Sequence, residues 1–431
     1  MVKKIGLFLC LILSVCLTYA DTPKAYLLEV QGAIGPAVED YINRGISKAN
    51  EDKANAIILQ MDTPGGLAKS MRDIIKEIIT SKVPVIAYVA PSGARAASAG
   101  TYILYAAHVA TMAPGTNLGA ATPIAMEMPG TGHEKDKKSP SDLKAINDAR
   151  AYIRALAQMR HRNVEWAEKA VSQAESLSAE EALKLKVINL IAKNIPELLQ
   201  KVNGMTVEIQ GAPAILNTNN LSVVSYKVDW RTRFLAVITD PTVAYILLMI
   251  GFYGIFFELL NPGFIAPGVI GVIALLVGLY GLALLPINYV GLGLIILGLA
   301  FLVAEAFLPS GALGVGGVVS FIIGSILLFK APYIGFTLPI TTIVVVTIFT
   351  IIFVLIILSL AIRSRRKPIV SGREALINKE GILDIDPDGK KWVRIEGERW
   401  QCRSDVAVKN GDRVQVVRVE GLILVVKPVT Q

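Results

Sequence analysis

Cysteine is scarce in this chain, which contains three cysteines among 431 residues. Cys10 and Cys16 lie within an apolar N-terminal stretch, so only Cys402 is left in the rest of the chain. A single cysteine cannot close an intrachain disulfide, and the sequence therefore excludes a fold held together by a disulfide framework. We also expect no metal and no cofactor.

Histidine is just as rare, and its three positions offer no obvious general base. His108 directly precedes a strand-like run, His133 lies in a polar loop, and His161 lies at the far end of a long helical pattern. None of them is accompanied by an orienting carboxylate in a known motif. We interpret all three as structural or solvated, and a catalytic site in this chain then needs a different base.

Charged residues are also few for a chain of this length. They make up 18% of the sequence while 53% is hydrophobic, a balance too apolar for an ordinary soluble protein and typical of membrane spans. The net charge of +8 is scattered and clusters only at residues 363–367. We therefore expect no nucleic-acid-binding surface.

The N-terminus has the three parts of a secretory signal peptide. Lys3 and Lys4 supply positive charge, residues 5–17 are apolar, and residues 18–20 form a small-residue cleavage site. We predict a signal peptide over residues 1–20, with an uncleaved anchor as the alternative. A signal peptide places the residues that follow outside the cytoplasm.

Residues 21–205 alternate between strand-like and helix-like patterns, which is typical of an α/β domain with a largely parallel sheet. The predicted strands cover residues 25–30, 56–61, 83–90 and 109–113, and the predicted helices cover residues 35–50 and 68–80. Residues 128–142 are polar and rich in breakers, and predict a loop. A helix begins near Asp142, and its predicted buried face contains Leu143, Ile146, Ala149, Ile153 and Leu156.

After a predicted linker at residues 206–232, long apolar runs fill residues 233–362. Each run approaches or exceeds the ~18 to 20 residues that a spanning helix needs. We predict an all-α bundle of about five transmembrane helices, at residues 234–257, 267–286, 290–308, 312–329 and 338–362. Five spans bring the C-terminus into the cytoplasm, in agreement with the basic cluster that follows. Arg231 and Arg233 lie on the opposite side and do not follow the positive-inside rule.

Two features of the membrane region carry specific expectations. Gly316, Ser320 and Gly324 recur every four residues, a spacing that suits close helix packing. Glu305 lies near the end of a predicted span. We interpret its carboxylate as reaching the membrane interface, with a functional role as the alternative.

Residues 369–431 form a small soluble tail with a β-strand pattern. Five short strands are predicted there, separated by turn signals at residues 386–389 and 410–411. Strands this short in so small a segment predict an all-β barrel of the OB type. We interpret Trp392 and Trp400 as core aromatics of that barrel.

Ser98 lies in a run of small residues, 91–100, directly after the predicted strand at residues 83–90. A serine at a strand-to-helix turn, surrounded by alanine and glycine, is how an α/β fold exposes a nucleophile while a substrate backbone comes close. Ser98 is therefore the candidate nucleophile.

Lysine is the remaining candidate for the base, because burial can leave its amine partly neutral. The loop lysines Lys135, Lys137 and Lys138 are kept protonated by water. Lys144 lies at the edge of the apolar face of its helix. Two interpretations of Lys144 stay open: a general base, or an exposed lysine paired with Asp148 one turn later.

The candidate oxyanion hole lies where the strand at residues 56–61 ends. Asp62-Thr-Pro-Gly-Gly66 closes that strand, and its two glycines leave backbone N–H groups unshielded. A second donor is the N–H of Ala99, next to Ser98. The alternative is an ordinary strand-ending turn.

Three motifs together resemble one family. The segments Asp-Thr-Pro-Gly-Gly at 62–66, Ala-Ser-Ala-Gly-Thr-Tyr-Ile at 97–103 and Met-Ala-Pro-Gly-Thr at 112–116 are similar to those of the membrane-bound serine proteases of the long-form NfeD family. Residues 372–377 and 396–400 resemble the soluble domain of that family. The resemblance implies a ClpP/crotonase-like α/β protease domain, an all-α transmembrane bundle and a small all-β OB-type barrel.

The resemblance also implies an activity and a site. It implies a serine endopeptidase with Ser98 as nucleophile and Lys144 as general base, and it assigns the oxyanion hole to Gly66 and Ala99. Residues 117–123 lack the histidine that ClpP carries soon after its serine, which favours the lysine.

The same resemblance implies surroundings for the protein. It implies a stomatin- or prohibitin-like membrane partner, cleavage within apolar segments, and self-association into a homo-oligomer. The expected location is multi-pass in the cell (inner) membrane, with the protease domain outside the cytoplasm and the OB-type domain inside it.

Two other function classes stay open. In the first, the protease-like domain is catalytically dispensable, and the membrane helices with the barrel form a scaffold that organises stomatin-like proteins. In the second, the chain is a crotonase-type acyl-CoA enzyme, which shares the fold and the glycine donors. Export of the domain argues against this last class, because CoA is cytoplasmic.

Overall fold

A computed structural model describes residues 23–123, 140–260, 263–308, 310–329, 338–365 and 373–429. The predicted signal peptide and His133 lie outside the described residues. The chain forms two units, Met1–Glu305 with Pro309–Thr350, and Ala306–Leu308 with Ile351–Gln431. The first unit holds the α/β domain and most of the membrane region, and the second holds the C-terminal barrel.

Eleven strands are described in the first unit, and six of them build one parallel sheet. They are β1 (Lys24–Gln31), β2 (Ala56–Asp62), β3 (Val85–Val89), β4 (Arg95–Ala97), β5 (Val109–Met112), β6 (Asn117–Gly119), β7 (Ser176–Ser178), β8 (Leu190–Ile191), β9 (Thr206–Ile209), β10 (Ala212–Ile215) and β11 (Ser222–Ser225). The sheet order is β11-β1-β2-β3-β5-β8, with every pairing parallel. The central strand β3 is entirely buried, as expected of a parallel sheet covered on both faces.

Seven helices of the described chain belong to the α/β domain. They are α1 (Pro36–Glu51), α2 (Ala68–Thr80), α3 (Ala99–Ala106), α4 (Pro140–Met159), α5 (Val164–Ser172), α6 (Ala179–Lys184) and α7 (Ile195–Val202). The helices form where apolar residues recur at helical spacing. In α2, for example, Met71, Ile74, Ile75 and Ile78 are buried on one face. The α/β class predicted from the sequence is confirmed.

Helix α4 differs from its prediction at its N-terminal end. It begins at Pro140, before the predicted start at Asp142. Ile153 and Leu156 are buried as predicted, but the prediction for Leu143 is wrong, since its side chain is 49% exposed. The apolar face reaches the core of the domain only from Ile146 onward, so the first turn projects beyond it.

The segment predicted as a linker, residues 206–232, contains strands β9, β10 and β11. Strand β11 pairs with β1 and becomes the edge of the main sheet. All four of its side chains are exposed, which is why an apolar pattern did not reveal it. Its backbone hydrogen bonds place these residues in the α/β domain.

Six helices follow the α/β domain. They are α8 (Trp230–Ile238), α9 (Pro241–Leu260), α10 (Ala266–Ala283), α11 (Tyr289–Phe307), α12 (Ala312–Leu327) and α13 (Ile340–Arg365). In the described part of the chain, α9 and α10 are long and apolar enough to cross a membrane, each with a mean hydropathy of 2.1. Shorter apolar helices cover Tyr289–Glu305, Ala312–Leu327 and Ile340–Ile356. The number of spans stays a prediction.

Small residues permit close helix packing in the membrane region. Gly324 lies against the backbone of Gly291, and Ser320 donates a hydrogen bond to the Leu294 carbonyl at 2.8 Å. The packing face of α12 also includes Gly317, where the sequence had indicated Gly316. A Cβ at Gly317 would lie 3.0 Å from the Gly298 carbonyl oxygen, whereas one at Gly316 meets only a side chain at 3.9 Å.

Glu305 has a structural role that the sequence did not predict. Its carboxylate accepts hydrogen bonds from the Gly311 N–H at 2.6 Å and the Gly314 N–H at 3.0 Å, and its side chain is buried. These are the unpaired N–H groups at the start of α12. The carboxylate therefore caps the next helix, and its position relative to the membrane interface stays a prediction.

The second unit ends in a closed five-stranded barrel. Its strands are β12 (Glu380–Ile385), β13 (Lys391–Ile395), β14 (Glu398–Arg403), β15 (Arg413–Glu420) and β16 (Ile423–Pro428), in the order β12-β13-β14-β16-β15. Cys402 and the partly buried Trp400 belong to its core, whereas Trp392 lies beneath the Arg399 guanidinium at 4.9 Å. The OB-type barrel is confirmed, and only Trp400 of the two tryptophans packs into its core.

Candidate functional site

The candidate site lies at the carboxyl ends of β1, β2 and β3, where an open parallel sheet usually binds its ligands. The loops after β1 and β2 are tied together by backbone hydrogen bonds. The Ile34 N–H donates to the Gly65 carbonyl and the Leu67 N–H donates to the Ile34 carbonyl, both at 2.8 Å. The glycine pair after β2 is thus held in a fixed position.

Ser98 is the N-cap residue of α3 and has a left-handed backbone, with φ 51° and ψ −115°. A non-glycine residue in this region is strained by roughly 1–3 kcal/mol, and such strain clusters at functional sites. The surroundings hold it there, because the Ser98 N–H donates to the Gly119 carbonyl at 2.9 Å. The half-buried hydroxyl is presented at the start of a helix, as predicted for a nucleophile.

Gly65 lies directly against Ser98. A Cβ at position 65 would lie 2.5 Å from the Ser98 Cβ and 3.0 Å from its Oγ. The backbone at Gly65 also has φ +112°, which favours glycine. The sequence singles out Gly66 as a donor, so the direct contact of its neighbour Gly65 with Ser98 is an addition from the structure.

The two predicted oxyanion donors belong to Ala99, which follows Ser98 in the chain, and to Gly66, which follows the Gly65 that lies against Ser98. Neither the Gly66 N–H nor the Ala99 N–H donates a hydrogen bond to any residue that the structure describes. Free N–H groups beside a nucleophile are what stabilises a developing oxyanion. Gly66 tolerates no side chain, because a Cβ there would lie 2.1 Å from the Ile34 carbonyl oxygen.

Two residues that the sequence did not single out brace the turn that carries Ser98. The Thr101 hydroxyl lies 2.8 Å from the Ala96 carbonyl oxygen and accepts a hydrogen bond from the Gly119 N–H at 3.1 Å. On the other side of the turn, the Thr63 carbonyl accepts a hydrogen bond from the Ala97 N–H at 3.1 Å. In the sequence, Thr63 and Thr101 are distinguished only by belonging to the motifs at residues 62–66 and 97–103.

Arg162 holds the C-terminal end of α3, the helix whose N-cap residue is Ser98. Its buried guanidinium donates to the carbonyls of Leu104 at 3.0 Å, Tyr105 at 2.6 Å and Ala107 at 2.9 Å. These carbonyls end α3, where a positive charge also complements the helix dipole. Burial lowers the pKa of Arg162, and no sequence signal distinguishes it from a surface arginine.

Lys144 lies in the second turn of α4, because the helix begins at Pro140, and its side chain is exposed. It forms no ion pair with Asp148, which is bound by Arg72 at 2.6 Å. The structure therefore does not support the alternative of a Lys144–Asp148 pair. Among the described residues, no hydrogen bond joins Lys144 to Ser98.

The direction of α4 nevertheless brings its N-terminal end to the end of α3 that carries Ser98. Tyr152 stacks on Tyr102 at 6.1 Å, and the Arg160 guanidinium donates to the Ala106 carbonyl at 2.9 Å. The two helices therefore run in the same direction. Measured along the helix axes, Lys144 lies about 12 Å before Tyr152, and Ser98 lies about 6 Å before Tyr102.

The described histidines lie away from Ser98, as the sequence indicated. His108 is buried after the far end of α3, and its Nδ1 accepts a hydrogen bond from the Val85 N–H at 3.1 Å. Burial lowers the pKa of His108 to about 3, so its ring is neutral. His161 is exposed beyond the C-terminal end of α4.

Three family models match successive parts of the chain. "NfeD1b, N-terminal domain" matches residues 24–212, "NfeD integral membrane domain" matches residues 242–359, and "NfeD-like C-terminal, partner-binding domain" matches residues 373–428. These three regions carry the α/β domain, the apolar helices and the barrel. The chain is therefore a membrane protein in which one folded domain precedes the apolar region along the sequence and another follows it.

Relatives that span nearly the whole chain identify the family. The chain is 36% identical over 415 residues to "Membrane-bound protease PH1510" of Pyrococcus horikoshii, covering 93% of this chain and 92% of that one. It is 29% identical over 451 residues to "Membrane protein NfeD1b" of Bacillus subtilis, covering 99% and 98%. This chain belongs to the NfeD family, in its long form, and the resemblance noted in the sequence is confirmed.

Solved structures similar to the N-terminal half also exist. One is the "1510-N membrane protease specific for a stomatin homolog from Pyrococcus horikoshii", at 38% identity, with a TM-score of 0.43, 51% of this chain and 99% of that chain covered. A second is a 1510-N membrane-bound stomatin-specific protease in complex with a substrate peptide, at 40% identity, with a TM-score of 0.45 and the same coverage.

Proposed function

We propose that this protein is a membrane-anchored serine endopeptidase with a Ser98–Lys144 dyad. One observation carries the proposal: Ser98 is held in a left-handed turn against Gly65, and within the described residues neither the Gly66 N–H nor the Ala99 N–H donates a hydrogen bond. A nucleophile with prepared oxyanion donors is the arrangement that acyl transfer requires. The relative described as a membrane-bound protease supports the same activity.

The reaction follows from these positions. Ser98 Oγ attacks a peptide carbonyl carbon, while Lys144 accepts the hydroxyl proton. The N–H groups of Gly66 and Ala99 stabilise the negative oxygen of the tetrahedral intermediate. Lys144 returns the proton to the leaving amine, and water then hydrolyses the acyl-enzyme.

An exposed lysine is a poor base because water keeps it protonated. We therefore propose that the substrate itself desolvates Lys144, which fits a preference for apolar segments. The substrates are segments of stomatin- or prohibitin-like membrane-associated proteins, and a solved relative described as specific for a stomatin homolog supports the stomatin-like class. The chain acts as a homo-oligomer, with the protease domain outside the cytoplasm and the barrel inside it.

The direct test is hydrolysis of fluorogenic apolar peptides by the purified full-length protein in detergent. We expect cleavage of apolar peptides and little cleavage of charged peptides of equal length. Absence of hydrolysis of every apolar peptide by well-folded protein would contradict the proposal.

A second candidate function, a membrane scaffold, is favoured by one finding. Residues 373–428 match a model described as partner-binding, and they lie outside the candidate site. The two functions predict different phenotypes for cells that carry the Ser98→Ala variant at a normal protein level. A scaffold keeps its cellular phenotype in that variant, whereas an endopeptidase loses it.

Lys144→Ala is expected to lower the rate of peptide cleavage by about 10² to 10⁴-fold, the range for loss of a general base. Lys144→Arg is not expected to restore it, because a guanidinium does not release its proton. Lys169→Ala is a matched control, since Lys169 is also a helix lysine and pairs only with Glu165 in the described chain. Wild-type rates in Lys144→Ala would exclude Lys144 as the base.

Gly65→Ala is expected to remove peptidase activity, because its Cβ would displace the Ser98 side chain. Gly93→Ala is the matched control. Gly93 has a similar backbone, with φ +90°, but a Cβ there meets nothing within 4 Å. Both variants share the same backbone strain. Equal activity of the two folded variants in a peptide assay would show that Gly65 does not shape the site.

A further inference from the structure

Helix α8 is a separate element between the α/β domain and the first apolar helix. The Asp229 carboxylate accepts a hydrogen bond from the Thr232 N–H at 2.9 Å and caps its start. Asp240 accepts from the Thr242 N–H at 2.9 Å and caps α9. The predicted span at residues 234–257 is therefore wrong at its start, because α8 ends at Ile238 and a new helix, capped by Asp240, begins at Pro241.

One face of α8 is fixed to the rest of the first unit. The Arg44 guanidinium donates to both Asp229 carboxylate oxygens, at 2.5 and 2.9 Å, and to the Thr232 hydroxyl. This pairing holds the pKa of Asp229 well below its ordinary value. At the C-terminal end of α8, Ile238 is buried, and its carbonyl oxygen would lie 2.2 Å from a Cβ at Gly281 of α10.

An apolar stripe on another side of α8 is uncovered in the described structure. Trp230 is 78% exposed, Phe234 48% and Val237 54%. With 3.6 residues per turn, these three side chains fall within about 60° of one another around the helix. Arg233 is exposed at one border of this stripe. Arg231 lies towards the other border and is 3.7 Å from Asp40.

The stripe lies at one end of the apolar helices, because α9 begins three residues after α8 ends. Two more exposed aromatic residues mark that end. Tyr280 lies one residue from Gly281, where α8 packs, and Tyr289 begins α11. Tryptophan and tyrosine concentrate where a membrane meets water, so this end of the bundle has the composition of an interface.

We propose that α8 lies in the headgroup layer of the bilayer, with phospholipid covering its Trp230–Phe234–Val237 stripe. A short helix that carries an exposed aromatic stripe beside arginines has the residue types that bind membrane surfaces. Arg233 is then placed to bind lipid phosphate, which accounts for a cation on the side where the positive-inside rule predicts few. Through Arg44, the same helix fixes α1 of the α/β domain at the membrane surface. None of this depends on peptidase activity.

The test is tryptophan quenching in the full-length protein reconstituted into phosphatidylcholine vesicles brominated at carbons near the headgroup. The three other tryptophans, Trp166, Trp392 and Trp400, lie in the α/β domain and the barrel. We expect wild-type emission to be quenched, and the quenched fraction to fall at least about twofold in Trp230→Phe, since that change removes the interfacial indole. Trp392→Phe, the matched control, is expected to keep the wild-type quenched fraction.

Two outcomes would overturn the proposal. One is equal quenching of wild type and Trp230→Phe. The other is no quenching of wild type. If Trp230 is then also protected from aqueous iodide, protein covers the stripe instead of lipid, and a second copy of the chain becomes its occupant.

Discussion

Replacing Ser98 with alanine is expected to lower peptidase activity by about a thousandfold or more, since the residual rate then comes only from binding and the oxyanion donors. The change removes only the hydroxyl, while the Ser98 N–H that bonds the Gly119 carbonyl is retained. We therefore expect no loss of folding. The measurement is the rate of hydrolysis of a fluorogenic apolar peptide by equal amounts of wild type and variant.

Ser92→Ala provides the control for this variant. Ser92 lies in the same loop, is exposed, and donates no hydrogen bond to another described residue. Its loss is expected to leave the rate unchanged. If Ser98→Ala and Ser92→Ala cleave the peptide equally well, the hydrolysis comes from another residue or from a contaminating enzyme.

The second large effect is expected at Arg162. In Arg162→Met the three carbonyls at the end of α3 lose their donors, at about 1 kcal/mol or more each. A loss of roughly 3 kcal/mol in a domain of this size corresponds to a fall of about 6–12 °C in the midpoint of thermal unfolding. Trp166 stacks on Tyr105 at 6.2 Å beside this site, so its fluorescence reports the transition.

Arg154→Met separates this effect from the general loss of an arginine. Arg154 lies on α4, is 44% exposed, and pairs with Glu168 at the surface. Exposed pairs contribute roughly 0–1 kcal/mol, so its midpoint is expected to change little. Equal midpoints for the two variants would mean that Arg162 does not hold the helix that carries Ser98.

Most of the fold follows from local apolar patterns. Strands β1 and β2 and helix α2 lie within a residue of their predicted limits, because the two strands are buried apolar runs and α2 buries residues at helical spacing. Strand β11 was missed because its side chains are exposed and only its backbone pairs with β1. The break between α8 and α9 was missed because both helices are apolar, and the caps that divide them are single polar residues.

In the candidate site too, some residues could be predicted from the sequence and others could not. Ser98, Gly66 and Ala99 are visible in the sequence because a small-residue turn and a glycine pair have local requirements. Gly65 against Ser98, and Arg162 at the end of α3, result from contacts between segments distant in the chain. Such contacts have no local signature. The proposed role of Lys144 as general base rests on the family resemblance and on the direction of α4.

Labelling with a serine-directed phosphonate probe tests the central proposal most directly, because the probe reacts only with an activated serine and leaves a covalent adduct. Full-length wild type is expected to be labelled on the peptide that contains Ser98, as read by mass spectrometry. Labelling is expected to be absent in Ser98→Ala and strongly reduced in Lys144→Ala. Labelling of Ser98→Ala to the wild-type extent would contradict the assignment of Ser98 as the nucleophile.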